Sequence, residues 1–504
     1  YGRAIQPYRN AYFPTTQTFS PDTRPMQHYS PTLPIATVLF GLTGMLIAAP
    51  VVVPDFEIAD GAAATLDRFG SSLARGPGYL AIGSPLSDSP ALSGGKVTIG
   101  RPIWIGPPED PLYHESTMFE TIEHANAGDN ANFGDALAAS GDRLFIGSPG
   151  WRIDAGVSTT QGAVFIYDVP LGPLALSTFL QMISPATLDT YDEFGASVAS
   201  GLDDSGNLWL AVGLPGRNND AGAVWMYQHD VSADAWTLQQ TIQPAGLQAG
   251  DDFGAAVALD GDLLVIGAPG TNNNAGHVYI RRLLAGSGTW DAAHDVAASA
   301  TSATGEFGSA VDVWQYFVLI GAPDGTGHVS LWEDVSTAGL FNYVMDLAPD
   351  SWTDIEGWGT AVAINATRAV VGSPPHTGSG PDGIAAVFRD VSSGDFQLVA
   401  MLGEGDWGSD ARNGSCVLLD GETAWVGAPR AHIDGTSSGA VGRWDVSRTP
   451  GCPGDLDFAF VGNAVDLAAL LNDWLGGGDS DLTGDGETDI ADLLELLEKW
   501  GSCL

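Results

Sequence analysis

Residues 253–283 read FGAAVALDGDLLVIGAPGTNNNAGHVYIRRL. FGAAVAL is a short apolar segment of strand length. DGD follows as a tight turn, because Asp and Gly tolerate left-handed backbone angles. LLVIGAP is a continuous apolar run, the pattern of a strand buried on both faces. The Pro after it stops the strand. NNNAG is a second turn, HVYIR alternates as a third strand, and WDAAHDV beyond it supplies a fourth, outer strand.

The same unit recurs along the chain. An aromatic–Gly pair stands at Phe69-Gly70, Phe133-Gly134, Phe194-Gly195, Phe253-Gly254, Phe307-Gly308 and Trp358-Gly359, with a degenerate copy at Asn413-Gly414. Each is followed by Gly-x-Pro, beginning at Gly83, Gly147, Gly213, Gly267, Gly321, Gly372 and Gly427. The interval from the first motif to the second, Phe69 to Gly83 in the first copy, is identical in every copy but the third. There it is longer, because DDSGN (203–207) extends a turn. The even advance of the copies along the chain suits one four-stranded blade each. The expected fold is all-β, a seven-bladed propeller over 51–449. Gly in the first motif is expected to let neighbouring blades approach closely.

Composition limits the partners. The 504 residues carry a formal net charge of −42, with 61 Asp and Glu against 19 Lys and Arg. Such a surface repels phosphate backbones and anionic membranes, so no nucleic-acid partner is expected. Residues 1–50 read as a leader. Pro- and Thr-rich sequence precedes the apolar run LPIATVLFGLTGMLIAAP (33–50), which ends in small residues as a secretory signal does, and Met26 is a candidate start. Of the three cysteines, Cys452 and Cys503 bracket the last segment. A disulfide between them would close a loop of about 50 residues, worth roughly 4 kcal/mol in the chain-entropy model, and would fit an oxidising compartment. A pair of reduced thiols is the alternative.

The paired motifs resemble the FG-GAP repeats of integrin alpha chains, and more closely their bacterial relatives, from Phe69 to the end of the seventh copy. The resemblance implies a monomeric propeller that binds proteins. Many integrin blades also carry an Asp-rich calcium loop between the first two strands. Here SGD (140–142) and DGD (260–262) are plain turns, and DDSGN lacks a full acidic set, so calcium is not expected on the blades. The seventh copy shows three strands. VVVPDFEIA (51–59) stands just before the first Phe-Gly and is expected to complete that blade as its outer strand.

The tail, 450–504, carries the metal chemistry. A loop beginning at Asp481 places Asp481, Thr483, Asp485, Glu487 (through its carbonyl), Asp489 and Asp492 at positions 1, 3, 5, 7, 9 and 12, with Gly486 on the turn. Oxygen donors at that spacing suit Ca2+. A weaker copy upstream offers Asp455, Asp457, Asn463 and Asp466, with Ala459 and Phe460 where a donor and Gly belong. Apolar faces follow both loops: Leu467, Leu471 and Trp474, then Ile490, Leu493, Leu494, Leu497 and Trp500. The segment resembles a type I dockerin, especially the Cys-bracketed tails of planctomycete surface proteins. That implies a calcium-dependent helical module with a possible cohesin-like partner. Loop positions 10 and 11, often Ser-Thr in dockerins, are Ile490-Ala491 and Ala464-Val465 here, a departure from ordinary cohesin recognition.

No nucleophile elbow, zinc-protease or phosphate-loop pattern is found. His277 and His328 occupy one repeat position, filled by Ala or Lys in other copies, which marks it as structural. Asn365-Ala-Thr and Asn413-Gly-Ser are formal glycosylation sequons. The expected function is extracellular binding of a protein or glycan ligand, with no enzymatic activity. The runner-up is a role in polysaccharide degradation, as hydrolase, lyase or member of a dockerin-assembled complex. A purely structural surface protein is a third reading.

Overall fold

The computed structural model of the chain describes residues 51–52, 56–58, 461–462, 501–502 and, apart from short intervening segments, 67–446. Apart from Val461–Gly462 and Gly501–Ser502, which pair as a separate two-stranded sheet, those residues form a seven-bladed β-propeller of four-stranded antiparallel sheets, the sixth carrying one extra short strand. The inner strands are Leu73–Gly76, Leu137–Ser140, Ser197–Leu202, Ala256–Asp260, Ala310–Trp314, Ala361–Ile364 and Cys416–Asp420, for blades 1 to 7 in order. In blade 4 the remaining strands are Leu263–Ala268, His277–Leu284 and Thr289–Ala297, as the sequence pattern anticipates.

The apolar runs find their reason in this stacking. Each second strand lies against blades on both sides, so Tyr79–Ser84, Leu263–Ala268, Phe317–Ala322 and Arg368–Ser373 are buried throughout. Hydrophobic clusters fill the gaps between successive blades, from blades 1 and 2 around Phe133 and Phe165 to blades 7 and 1 around Phe69 and Trp425. Outer strands face solvent on one side, and Thr178–Ile183 is largely exposed. Burial of these interfaces, at about 25 cal/mol per Å2 of apolar surface, is the main favourable term in the fold.

The paired motifs act as a gear between blades. Within each blade the motif Gly donates its N–H to the carbonyl of the Gly-x-Pro Gly, from Gly70 to Gly83 at 3.0 Å through Gly414 to Gly427 at 3.2 Å. That bond fixes the register of the two motifs, and blade 3 keeps it although its DDSGN turn lengthens the chain between them. Between blades, a Cβ added to the Gly-x-Pro Gly would overlap the carbonyl of the next blade's motif Gly. The relation runs Gly83 on Gly134, Gly147 on Gly195, Gly213 on Gly254, Gly267 on Gly308, Gly321 on Gly359, Gly372 on Gly414 and Gly427 on Gly70. A third glycine, just before the third strand, forms a parallel bridge to the next motif residue: Gly162 to Phe194, Gly222 to Phe253, Gly276 to Phe307, Gly383 to Asn413 and Gly439 to Phe69. The sequence shows this third glycine in GAV and GHV, a signal the two-motif reading passes over.

The degenerate seventh motif keeps its function by substitution. Trp358 donates from Nε1 to the Leu347 carbonyl at 2.8 Å, and Asn413 donates from Nδ2 to the equivalent Leu402 carbonyl at 3.2 Å. Asn413 is fully buried, and the Asn365 side-chain amide donates to the Gly421 carbonyl at 2.8 Å. Both glycosylation sequons are thus structural asparagines.

Val51–Val52 and Phe56–Ile58 pair with different blades. Val51–Val52 runs parallel to Met401–Leu402 of blade 6. Phe56–Ile58 runs antiparallel to Val441–Arg443, on the outer edge of blade 7. Ile58 is buried in the cluster between blades 7 and 1.

The two short helices, Arg217–Asp220 and Thr271–Asn274, are single turns with left-handed residues inside. Asn218, Asn219 and Asp220, then Asn272, Asn273 and Asn274, all have φ between 56° and 65°. Only Gly, Asn and Asp visit this region readily, which explains the NND and NNN sequences. The second turn read at NNNAG is therefore a left-handed helical one.

Candidate functional site

Each blade presents two ends. The hairpin face carries the turns between first and second strands. The motif face carries the aromatic–Gly turns at the start of each inner strand, bridged to the preceding blade, and the loops that follow Gly-x-Pro.

The residue before each aromatic–Gly pair occupies one structural position seven times. Its carbonyl accepts the N–H of the third residue on, as in Ser71 to Arg68 at 3.2 Å and Ala255 to Asp252 at 2.9 Å. Its φ is positive in every blade: Arg68 58°, Asn132 53°, Glu193 57°, Asp252 56°, Glu306 55°, Gly357 80° and Arg412 57°. A bulky L residue in this region costs about 1–2 kcal/mol, yet five of the seven carry a charge. Around the ring, blades 7 and 1 are positive, blades 3, 4 and 5 negative, and blades 2 and 6 neutral.

These charges form no close ion pairs among the described residues, although Asp135 lies within the field of Arg68, Asp410 within that of Arg412, and Glu306 accepts the Asn274 amide at 3.3 Å. Among the described residues no carboxylate forms an ion pair with Arg68 or Arg412, and no cation forms one with Glu193, Asp252 or Glu306. Burial, then Arg430, hold the Arg412 guanidinium below its ordinary value against the pull of Asp410, with a smaller push from Arg68. Its Nε is buried without a hydrogen-bond partner. Arg430 is tied beside it, its N–H donating to the Ala411 carbonyl at 3.0 Å, and its guanidinium meets Asp410 at 3.1 Å. On the acidic arc, burial and then Asp220, Asp251 and Glu306 push the Asp252 carboxyl up to about 6. Burial, then Asp220, Asp252 and Asp135, raise Glu193 as well. Asp135 follows the motif Gly of blade 2. Its surface is open to water, yet protein surrounds it, and that enclosure raises its carboxyl to about 6 against the pull of Arg68.

The repeat position of His277 and His328 is structural. Lys96 there pairs with Asp67 at 3.3 Å, both side chains buried, and His328 meets Asp346 at 3.2 Å. Burial lowers the His277 imidazole, whose ring lies 4.5 Å from Tyr279.

The DDSGN turn of blade 3 is filled by its own donors. The Asp203 carboxylate accepts the N–H groups of Ser205 and Asn207 at 2.9 and 2.8 Å, the Asn207 amide at 2.9 Å and Trp209 Nε1 at 2.9 Å. Among the described residues no group of three or more His, Cys, Asp and Glu is placed to hold a metal ion. The tail residues assigned to calcium and the Cys452–Cys503 pair lie outside the described residues. Cys416, on the inner strand of blade 7, is a free thiol that burial pushes up to about 12, which disfavours its thiolate.

The sequence reading passed over the rim. Aligning the repeats on their motifs and reading one residue upstream would have exposed it.

Residues 236–281 match the family model of the FG-GAP repeat. The match runs from the outer strand of blade 3 to the third strand of blade 4, so the family unit is offset from the blade by one strand. No curated protein matches the chain. Among solved structures, Sqt1 from Chaetomium thermophilum is similar at 15% identity and a TM-score of 0.43, covering 79% of this chain and 91% of that one. Sqt1 from Saccharomyces cerevisiae is similar at 8% identity and a TM-score of 0.41, covering 80% and 87%.

Proposed function

We propose that this chain is an extracellular binding protein whose propeller presents its motif face to a protein or glycan ligand. One observation carries the reading: five charged side chains stand without ion-pair partners among the described residues on the motif face, four of them (Arg68, Glu193, Glu306 and Arg412) in a backbone conformation that disfavours them. Charges kept at such a cost are explained by a partner, since they contribute no ion pair to the fold. A leader over 1–50 directs export, and Phe56–Ile58 closes the ring through blade 7. The tail over 450–504 is a dockerin-like module for docking or anchoring. Its oxygen donors Asp481, Thr483, Asp485, Glu487, Asp489 and Asp492 suit Ca2+, with Asp455, Asp457, Asn463 and Asp466 as a weaker set, and Cys452 and Cys503 clamp its ends.

The test is a protein and glycan binding array, with and without calcium, beside a turnover assay on polysaccharides. Calcium-independent capture of a ligand by the propeller is expected. Turnover would replace this reading with the second one, a polysaccharide-active enzyme. That alternative is favoured by Asp135 and Asp252, whose carboxyls at about 6 suit a general acid. For the tail, calorimetry is expected to show one tight calcium site, lost in Asp485→Ala. Two equal sites would show the upstream loop to be competent.

A further inference from the structure

The outer edges of the blades are not alike. In blades 2 to 6 the pairing of third and outer strands shifts register once, a bulge that bends the edge. Blade 6 is further covered by Val51–Val52, and blade 7 ends on the short strand Phe56–Ile58. Blade 1 has none of these devices. Its outer strand, His114–Ile122, pairs with Lys96–Ile105 without a break, and among the described residues no strand covers its far edge. We propose that this edge pairs with the same strand of a second copy, antiparallel across a twofold axis, so that blade 1 of each copy joins one continuous sheet. A dimer departs from the monomer that the FG-GAP resemblance implies.

The length of the hairpin calls for such a cover. The second strand of blade 1 pairs only as far as Gly100, yet the hairpin runs on to Ile105 and His114. In blades 3 and 4 the third strand stops soon after its last such pair, at Asp230 after Gln228 and at Leu284 after Arg282. Blade 1 thus carries a two-stranded arm, and two strands alone are marginal in water. Set beside a second copy, the arm becomes part of a four-stranded sheet. Met118 and Phe119, both exposed, lie at the middle of the outer strand.

Symmetry and charge choose the occupant and the register. Hydrogen-bonded and non-hydrogen-bonded pairs alternate along an antiparallel ladder, so a twofold axis between identical strands must run between a residue and its own copy. Centring on Met118 pairs the whole strand. Residue 117 then opposes 119, 116 opposes 120, 115 opposes 121 and 114 opposes 122. Glu115 and Glu120 are an odd number of residues apart, so a twofold pairing never sets one against the other; Thr121 and Ser116 oppose them instead. Inside the blade, the Glu120 carboxylate already meets Arg101 at 2.8 Å and accepts the Ser177 hydroxyl at 2.8 Å, which compensates its charge before two copies meet. The strand is its own complement, a property that a foreign partner would not require. Each copy carries a charge of −42, but salt at physiological strength screens exposed charge beyond about 8 Å.

The test is sedimentation of the full chain at about 0.15 M salt, over about 1 to 100 μM protein. A concentration-dependent dimer is expected. Met118→Cys should cross-link two copies on oxidation, above the background of the parent's own cysteines, whereas Thr121→Cys, opposed by residue 115, should not. Met118→Glu and Met118→Lys each set like charges against one another, with Cβ atoms about 4.5–5.5 Å apart. Either variant alone should weaken the dimer about tenfold or more with an unchanged melting temperature, and an equimolar mixture of the two should restore it. A chain that stays monomeric throughout overturns the proposal. So does a dimer that neither cross-links through position 118 nor responds to the charge variants. Capture of extended peptides along this edge by a chain that stays monomeric would give it a foreign occupant, and overturns the second copy as well.

Discussion

On the hairpin face, Arg75 of blade 1 meets Asp420 of blade 7 at 2.6 Å, Arg282 of blade 4 meets Asp334 of blade 5, and Arg368 of blade 6 meets Glu422 of blade 7. Carboxylates there also take backbone donors from the adjoining blade, as Asp260 does from the Gln315 N–H at 2.6 Å. On the motif face, Arg68 belongs to the same blade as Arg75, yet among the described residues no carboxylate forms an ion pair with it. One repeat thus handles charge in two ways. At the hairpins, charge stitches blades together. At the rim, the glycines hold the blades and the five charges form no ion pair among the described residues, although Glu306 still accepts the Asn274 amide of blade 4 at 3.3 Å.

Four measurements would break or sharpen this contrast. The largest effect is expected at the glycine gear. Gly267→Ala places a methyl group into the Gly308 carbonyl, a clash that backbone alone must relieve. A loss on the order of 4 kcal/mol or more in urea unfolding is expected. Gly141→Ala on a hairpin has open space around it and only its φ of 59° to oppose it, so about 1 kcal/mol is expected. Equal losses would remove the gear from the account.

Next comes Asp203→Ala, which leaves the buried Trp209 Nε1 without an acceptor and frees the donors of Ser205 and Asn207. A loss of about 2–4 kcal/mol is expected at neutral pH. Burial opposes ionisation of Asp203, but the Asn207 and Trp209 donors outweigh it and hold the carboxyl below its ordinary value. Its contribution is therefore present above the unfolded-state value and lost as pH falls through the folded one.

Asp312 has the opposite sign. It accepts the N–H groups of Val313 and of Ile364 in the next blade, but burial lifts its carboxyl to about 7. The group therefore costs stability progressively as pH rises from about 4 to about 7, and the cost is constant above that. Asp312→Asn is expected to gain on the parent by on the order of 2–4 kcal/mol between pH 4 and pH 8. Parallel pH curves for the two proteins would refute the assignment.

The smallest effects test the faces directly. Arg75→Ala should lower stability by less than about 1 kcal/mol, as a partly exposed ion pair would. Arg68→Asn should leave stability unchanged or raise it by up to about 1 kcal/mol, since it relieves a positive φ and breaks no ion pair.

Much of the fold was legible because one physical constraint repeats. The two motif glycines sit where a Cβ would meet backbone, so sequence can vary elsewhere and the Phe-Gly and Gly-x-Pro spacing still shows. The strands of blade 4 could be read along the chain for the same reason. The left-handed turns at NND and NNN were legible only as turns, because Asn announces a permissive backbone without naming its path. That Val51–Val52 and Phe56–Ile58 pair with different blades was hidden, since pairing partners at 401–402 and 441–443, near the far end of the ring, leave no local mark. The rim escaped notice for another reason: its residues differ in type from blade to blade, and a search for repetition overlooks a position whose content changes while its geometry does not.

The turn before each aromatic–Gly pair accepts Arg, Asn, Glu, Asp and Gly on nearly the same backbone. The propeller thus offers seven addresses whose content changes from blade to blade on one backbone. Specificity in such a molecule could drift, or be programmed, one letter at a time, while the glycine-locked scaffold stays silent about the change.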